Sequence, residues 1–273
     1  MAMKGKFLLL HAITPLHPGA GTSMSTVDLP VQRERHTGWP LIPGTSIKGV
    51  LRDENRDRPE LVRIFGSEPE ENRNDLAAGE LSFTDARLLA FPVRSIRGTF
   101  AWATCPQALS RLQRDYELLG CEKRIPQLDL QEDEAVVSNE SIVVDGTKLS
   151  LEEFDFKKVT KQDLNWFPFF DAEQRKRLVV LNDNNFSYLT RYATEITARI
   201  RLKKDSKRVA KGALFYQEFL PAETVFYSLI LLAPGRKDPN ALKALNIPPF
   251  IQIGGEETIG RGYVKVSTIE EAA

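Results

Sequence analysis

The sequence predicts an α+β fold in which a ferredoxin-like βαββαβ sheet carries a large insertion in its middle. The chain opens with the order strand, loop, helix and strands, and it closes with the order strand, helix, strand. The residues between these two ends mix hairpin-like and helical patterns, which predicts an insertion. One elaborated domain is expected, because 273 residues with 42% hydrophobic side chains are enough to bury a sizeable core.

The N-terminal half is predicted to contain the first strands and the first long helices. Residues 4–14 are apolar and compatible with a strand. Residues 46–54 place their apolar side chains on one helical face, and Thr45 stands where an N-cap residue is expected. Further strands are predicted over residues 80–92 and 98–104, and a helix over residues 106–119.

The middle and the C-terminal half are predicted from weaker patterns. Residues 135–156 alternate like hairpin strands, whereas residues 164–181 show helical spacing. Residues 196–202 and 212–219 form the arms of a second predicted hairpin, whose tip at 203–211 is basic. A strand over 224–232, a short helix over 239–245 and a last strand over 263–267 complete the chain. RNA-recognition proteins commonly use a sheet with this order of elements, although one fold serves many functions.

Composition excludes several classes of protein. No apolar stretch is long enough to cross a membrane. The two cysteines lack metal-ligand spacing and predict no disulfide framework, so a cytoplasmic location is expected. The formal net charge is zero, yet residues 191–216 contain eight basic and two acidic side chains. This uneven distribution predicts one face that attracts phosphates.

Two cations on the first helix predict a phosphate site. Lys48 and Arg52 lie four residues apart, so they share a face and repel each other unless an anion lies near them. The start of the helix at Ser46 adds backbone N–H groups and the positive end of the helix dipole. The alternative is a solvated face neutralised by Asp53 and Glu54.

A glycine-rich segment near the C-terminus is a second candidate ligand site. Residues 254–262 contain four glycines, with Arg261 between two of them. The spacing matches neither a Walker loop nor a Rossmann turn. Glycines allow the backbone to approach a bulky ligand closely. The alternative is a flexible turn before the last strand.

Asp28 is the candidate catalytic residue of the first loop. With Arg33 and Arg35 nearby and RNA across them, its carboxylate is suited to position or deprotonate a 2′-hydroxyl, or to hold a divalent metal. The alternative is a turn former or a salt-bridge partner. The three histidines are not predicted to form an acid/base pair, and His17 is predicted to lie in an ordinary turn.

Five segments carry a resemblance to a known family. They are residues 16–21 (LHPGAG), 27–34 (VDLPVQRE), 42–49 (IPGTSIKG) together with Arg52, 216–224 (YQEFLPAET) and 253–262 (IGGEETIGRG). In this order they resemble the RAMP superfamily. They are most similar to the repeated backbone subunit, the fourth Cmr protein, of type III-B CRISPR effector complexes.

The resemblance implies an architecture and a set of partners. It implies an RNA-recognition-like palm over about residues 1–115 and 220–273, and an inserted thumb hairpin and finger-like region over about residues 116–219. Several copies would stack along a guide CRISPR RNA beside other Cmr subunits, with no membrane involved. The thumb would interrupt the duplex with a single-stranded target RNA, which each subunit cuts with a divalent metal, Mg²⁺ or Mn²⁺, leaving a cyclic phosphate.

The resemblance also implies roles for single residues. Asp28 matches the catalytic aspartate, which would also hold the metal. Glu218 matches a supporting acidic residue, although the usual acidic pair is Gln217-Glu218 in this chain. The residues expected to bind RNA are Ser46, Lys48, Arg52, Gly255, Gly260, Arg261 and Gly262.

Two other functions stay open at this point. One is a purely structural guide-binding subunit without nuclease activity, which replacement of Asp28 would separate from the enzyme. The other is an endonuclease that processes precursor guides as a monomer. That activity generally relies on a histidine-type acid/base in this family, and the chain offers no persuasive one.

Overall fold

The computed structural model describes residues 2–68, 77–167, 169–202, 209–236 and 240–269. The strands within these ranges are β1 (Gly5–Ala12), β2 (Leu41–Ile42), β3 (Leu81–Phe83), β4 (Ala86–Arg94), β5 (Phe100–Thr104), β6 (Glu134–Val137), β7 (Leu149–Leu151), β8 (Phe154–Phe156), β9 (Lys158–Lys161), β10 (Leu178–Leu181), β11 (Glu195–Leu202), β12 (Val209–Phe219), β13 (Val225–Leu232), β14 (Phe250–Gln252) and β15 (Tyr263–Ile269). The helices are α1 (Gly44–Glu54), α2 (Leu61–Phe65), α3 (Pro106–Leu119), α4 (Ala172–Arg175), α5 (Asp183–Tyr192) and α6 (Asn240–Ala244). None of these described helices has the length and apolar character needed to cross a bilayer.

One large sheet joins the two ends of the chain. Its main path runs β14, β15, β1, β13, β4, β5, β10, β6 and β9, with β2 beside β4 and β3 beside β13. The first five strands of this path pair antiparallel. By contrast, β10 runs parallel to β5 and β9 runs parallel to β6. A mixed sheet with helices on it confirms the predicted α+β class.

The core lies on both faces of this sheet, because β1 alternates its buried side chains between them. Leu8 and Leu10 belong to one apolar cluster, which α1, α2, α5 and α6 cover. Phe7 and Leu9 belong to the other cluster, which α3 and the segment 164–170 cover. Both sides of the central strands are therefore buried beneath other elements.

The first helix begins earlier than the sequence predicts, at Gly44. Its N-cap is Pro43, which has no side-chain hydrogen bond, so Thr45 lies inside the helix and does not cap it. The first amide is satisfied from elsewhere, since the Gly44 N–H donates to the Asp85 carboxylate at 2.7 Å. Asp85 lies in the turn between β3 and β4, and a cap from so distant a residue leaves no local sequence signal.

The middle of the chain departs most from the prediction. The helical spacing over residues 164–181 is misleading, because the described residues of this range form the short α4 as their only helix, followed by strand β10. Leu178–Leu181 is fully buried and pairs with β5 and β6, which suits its two central valines. Within residues 135–156, β7 and β8 form the predicted kind of hairpin, whereas β6 joins the main sheet.

The second predicted hairpin is confirmed as β11 and β12, which pair antiparallel as a separate two-stranded sheet. Of its predicted basic tip at 203–211, residues 203–208 lie outside the described residues, and the rest belongs to β12. Strands β6, β9 and β10 come from the predicted insertion but continue the main sheet. The division of the chain at about residues 116 and 219 stays a prediction.

Candidate nucleic-acid interface

The candidate site forms where the end of β12 passes between two N-terminal segments. Leu16 and Leu220 exchange backbone hydrogen bonds of 2.9 and 2.8 Å. On the other side, the Leu29 N–H donates to the Tyr216 carbonyl at 3.0 Å, and the Glu218 N–H donates to the Leu29 carbonyl at 3.0 Å. The loop that carries Asp28 is therefore fixed to the base of the hairpin by backbone bonds.

Asp28 has one oxygen held and one oxygen open. Its half-buried carboxylate accepts the Tyr216 N–H at Oδ2, at 2.7 Å. Among the described residues no protein group donates to Oδ1. The bond joins positions 188 residues apart, so Asp28 is neither a simple turn former nor, in the described structure, a salt-bridge partner. The carboxylate is oriented by the hairpin and keeps an acceptor for a ligand.

Glu218 is placed close to Asp28, but its carboxylate is used inside the protein. It accepts hydrogen bonds from the Val31 N–H at 3.0 Å, the Arg33 guanidinium at 2.6 Å and the Thr194 hydroxyl at 2.9 Å. Glu218 is only 6% exposed. These contacts hold the segment after Asp28 against β11 and β12. They favour a positioning role for Glu218 over direct contact with RNA, and a catalytic role stays a prediction.

The glycine-rich segment rests on the backbone of the first loop. Gly254 and Gly262 have positive φ angles of 85° and 78°. A Cβ on Gly254 would lie 2.3 Å from the His17 carbonyl oxygen, and one on Gly262 would lie 2.2 Å from the Ile253 carbonyl oxygen. Both positions therefore require glycine for packing within the protein. By contrast, a Cβ on Gly255 would meet only the His17 ring, at 4.0 Å.

The buried His17 is a site residue that the sequence prediction missed. Its Nδ1 lies 2.7 Å from the Glu218 carbonyl oxygen, and since a carbonyl only accepts, this nitrogen carries the proton. The His17 carbonyl accepts the Gly255 N–H at 3.4 Å. One residue thus ties the glycine-rich segment to β12. Its signal was the LHPGAG segment, but an isolated histidine before a proline predicts a turn equally well.

Arg261 lies beside the base of the hairpin, where it and a second arginine both contact the ring of Phe219. Its guanidinium stacks over Phe219 at 4.7 Å, and Arg199 approaches the same ring at 5.7 Å. Arg199 forms an ion pair with Glu256, whereas Arg261 lies 3.7 Å from Glu195. Tyr216, which holds Asp28, is three residues from Phe219 on β12, a distance of about 10 Å. Arg261 and Asp28 therefore belong to one region of the molecule.

The predicted cations of α1 do not behave alike. Arg52 donates to the Gly66 carbonyl at 2.9 Å and to Glu68 at 3.1 Å. Among the described residues Lys48 has neither a hydrogen bond nor an ion pair. The alternative of a helix face neutralised by Asp53 and Glu54 is not what the described ion pairs show, because Asp53 pairs with Arg56 and Arg52 pairs with Glu68.

The start of α1 is less open to an anion than the sequence predicts. The Gly44 N–H already donates to the Asp85 carboxylate, and the Ser46 N–H donates to the Pro43 carbonyl at 2.9 Å. The Asp85 carboxylate also places a negative charge where the helix dipole would attract a phosphate. No hydrogen bond or ion pair in the described structure joins Lys48 to Asp28 or Arg261. The structure brings together Asp28, Glu218, Arg261 and the glycine-rich segment, but does not link them directly to α1.

Comparison with known proteins identifies the family. A family model for the RAMP superfamily matches residues 9–265. The sequence is 40% identical to the CRISPR system Cmr endoribonuclease Cmr4 of Pyrococcus furiosus, over 98% of this chain and 97% of the relative. It is 27% identical to the CRISPR system CMR subunit Cmr4 of Saccharolobus solfataricus, over 97% of each chain. The crystal structure of oligomeric Cmr4 from Pyrococcus furiosus matches with a TM-score of 0.78 and 34% identity, covering 100% of both chains. The chain belongs to the RAMP superfamily and, within it, to the family of Cmr4 proteins.

Proposed function

We propose that this chain is a repeated, guide-binding backbone subunit of a type III-B CRISPR effector and that it cleaves bound target RNA beside Asp28. The observation that carries the proposal is the Asp28 carboxylate, which the hairpin backbone holds at Oδ2 and which no described residue contacts at Oδ1. The Pyrococcus furiosus relative that matches nearly the full length is named an endoribonuclease. A pre-oriented carboxylate at the base of a hairpin suits a nuclease that acts on RNA held by that hairpin.

The palm of this subunit would be the central antiparallel sheet. Its four strands β15, β1, β13 and β4 lie in the order fourth, first, third, second along the chain, which is the ferredoxin-like order. Helices α1 and α6 cover the same face of these strands, as that fold requires. The hairpin of β11 and β12 projects from the palm as the thumb.

The guide strand would be gripped by cations and by open backbone near the glycine-rich segment. Lys48 is available to a phosphate, and in the described structure Arg261 lies on the Phe219 ring with only a distant carboxylate partner, Glu195. Arg52 can join them by leaving Glu68, whose side chain is 70% exposed, because exposed ion pairs contribute little stability. Beside these cations the guide backbone would contact Ser46, Gly255 and Gly260. Gly262 would maintain the backbone conformation of the glycine-rich segment.

Cleavage would use the 2′-hydroxyl of the target strand as the nucleophile. The hydroxyl oxygen attacks the neighbouring phosphorus while its proton passes to the Asp28 carboxylate. The bond from phosphorus to the 5′-oxygen breaks, the leaving oxygen takes a proton from water, and a cyclic phosphate remains. In-line geometry supplies much of the rate, and a hairpin that splays one nucleotide would provide it. Glu218 acts through position, since it fixes the loop of Asp28 to β12.

A divalent cation fits this site only together with RNA. The described residues contain no group of three or more side chains able to hold a metal ion. With a cation bound, the open oxygen of Asp28 would be its ligand and water would accept the hydroxyl proton in place of the carboxylate; Mg²⁺ is commonly held by one or two carboxylates with substrate phosphates. Mg²⁺ or Mn²⁺ bound there would screen the negative charge that grows on the reacting phosphate. Further copies of the chain and other Cmr subunits complete the proposed assembly, in the cytoplasm.

The test is replacement of Asp28 by asparagine in the assembled complex with guide and labelled target RNA. Asparagine keeps an acceptor for the Tyr216 N–H, so the fold should be preserved. Target cleavage should fall by at least about a hundredfold while target binding stays unchanged. Asp57→Asn, at an exposed position beyond α1, serves as the matched control and should cleave normally. Full-rate cleavage by Asp28→Asn would leave the chain a structural guide-binding subunit.

A further inference from the structure

A cationic pocket lies between α3 and the turn that follows the loop of Asp28. Its volume is about 410 Å³. Its lining includes three arginines, Arg87 on β4 and Arg111 and Arg114 on α3, against one carboxylate, Glu34. Guanidinium groups that outnumber the carboxylates around them attract anions, and their N–H groups match the oxygens of a phosphate.

Arg111 is held rigidly at the wall of this pocket. Its Nη1 donates to both Glu34 oxygens, at 3.0 and 2.9 Å, and its Nη2 lies 3.0 Å from His36 Nε2. The guanidinium also stacks over the Trp39 ring at 4.7 Å. The side chain is 11% exposed, so the cation is oriented before any ligand arrives. An anion that binds there orders little that is not ordered already.

The other two arginines differ from each other. Arg87 is fixed from behind, because it pairs with the buried Asp115, which also accepts the Tyr227 hydroxyl at 2.9 Å. Asp115 does not line the pocket. Arg114 is exposed, and among the described residues it has neither a hydrogen bond nor an ion pair. The pocket therefore presents two fixed cations and a third that can turn toward a ligand.

The position of the pocket separates it from the proposed guide site. Arg87 faces α3, whereas the helix of Lys48 covers the apolar cluster on the opposite side of the sheet. Glu34, which anchors Arg111, follows Asp28 by six residues, so the two lie at most about 22 Å apart. A strand that passes Asp28 can reach the pocket within a few nucleotides, while a guide held at Lys48 lies across the sheet.

We infer that this pocket binds a backbone phosphate of the target RNA, a few nucleotides from the phosphate that faces Asp28. The inference rests on the proposed function in that it takes Asp28 as the place of cleavage. A contact to phosphate is independent of the target sequence. A strand fixed beside the cut keeps its reacting nucleotide in place, and such positioning supports in-line attack.

Removal of the exposed cation tests the contact in the assembled, guide-bound complex. The target carries deoxynucleotides at the cut positions, so binding is measured without cleavage. Arg114→Ala should weaken target binding about fivefold for each copy of the chain that the target spans. The slope of log affinity against log salt concentration should fall in magnitude by about one per copy. Arg114→Lys keeps the charge and should keep the slope. Arg236→Ala, at an exposed position after β13, is the matched control and should bind the target normally.

A crosslink identifies the strand that occupies the pocket. Ser110 is exposed and lines the pocket, so Ser110→Cys accepts a benzophenone maleimide there. The native Cys105 and Cys121 are buried and should not react. Irradiation of the complex with labelled guide and target should attach the probe to the target strand.

Three outcomes would overturn the inference. An unchanged salt slope for Arg114→Ala excludes the phosphate contact. A crosslink to the guide assigns the pocket to the other strand, and a crosslink to another subunit makes it a protein-docking site. The uncleavable target keeps these results separate from the nuclease function, which the cleavage assay of Asp28→Asn tests by itself.

Discussion

Replacing Glu218 with alanine is expected to destabilise the fold by about 3 kcal/mol, because three protein donors lose their acceptor together. The Val31 N–H is buried, and leaving it unpaired costs about 1–3 kcal/mol. The charge-assisted bond from Arg33 adds about 1.5–3 kcal/mol. Part of that second loss is recovered, since the Arg33 guanidinium keeps the Gly38 and Thr190 carbonyls and its side chain is 21% exposed.

Chemical denaturation of the full chain, followed by circular dichroism, measures this loss. The midpoint should fall while the slope of the transition stays constant. Glu218→Gln keeps an acceptor for the Val31 N–H and should lose about half as much. Thr194→Ala removes one hydrogen bond from a hydroxyl to this carboxylate and should cost about 1.5 kcal/mol. A wild-type midpoint for Glu218→Ala would refute the structural role assigned to this carboxylate.

Three further outcomes are expected. Gly262→Ala should destabilise the protein by roughly 2 kcal/mol through backbone strain. Gly255→Ala should leave the thermal midpoint nearly unchanged, because this position has room for a Cβ. Equal midpoints for the two variants would contradict the packing described. Lys48→Ala should weaken guide RNA binding and reduce the magnitude of the slope of log affinity against log salt concentration by about one. Filter binding measures this slope, and an unchanged slope would exclude a phosphate contact by Lys48. Burial raises the pKa of the Cys105 thiol, so it stays protonated at mildly alkaline pH and should resist iodoacetamide in the native protein; mass spectrometry would detect alkylation that contradicts this.

The parts of the fold that the sequence predicts are those with strong local patterns. Helix α3 begins with a proline at its first position and ends before Gly120 in the left-handed conformation, so both of its ends carry a local signal. By contrast, α5 escaped prediction, because ten residues rich in asparagine and aromatic side chains have low helix propensity. Its stability comes from burying Phe186 and Leu189 in the core.

The candidate site, too, could be predicted only where local sequence motifs mark its residues. Asp28, Arg261 and the glycine-rich segment were singled out from sequence motifs, and the structure places them in one region. The donors to Glu218 could not be predicted, since Val31 lies 187 residues away along the chain and contributes only a backbone amide. The start of α1 is less open to an anion than the sequence predicts for a similar reason, because Asp85 reaches the Gly44 amide from another turn. Long-range hydrogen bonds of this kind leave no mark in local spacing.

The burial of both sides of the central sheet has a consequence for how RNA is read. Proteins that recognise a nucleotide sequence on a sheet stack bases upon aromatic side chains of an uncovered surface. In the described part of this chain, helices occupy those surfaces, and a polynucleotide is left to follow strand ends and loops. At these places it contacts backbone amides and cationic side chains, which bind phosphates and do not distinguish one base from another. Such an architecture is indifferent to nucleotide identity, and in the proposed guide-binding subunit the choice of a target would fall to Watson–Crick complementarity.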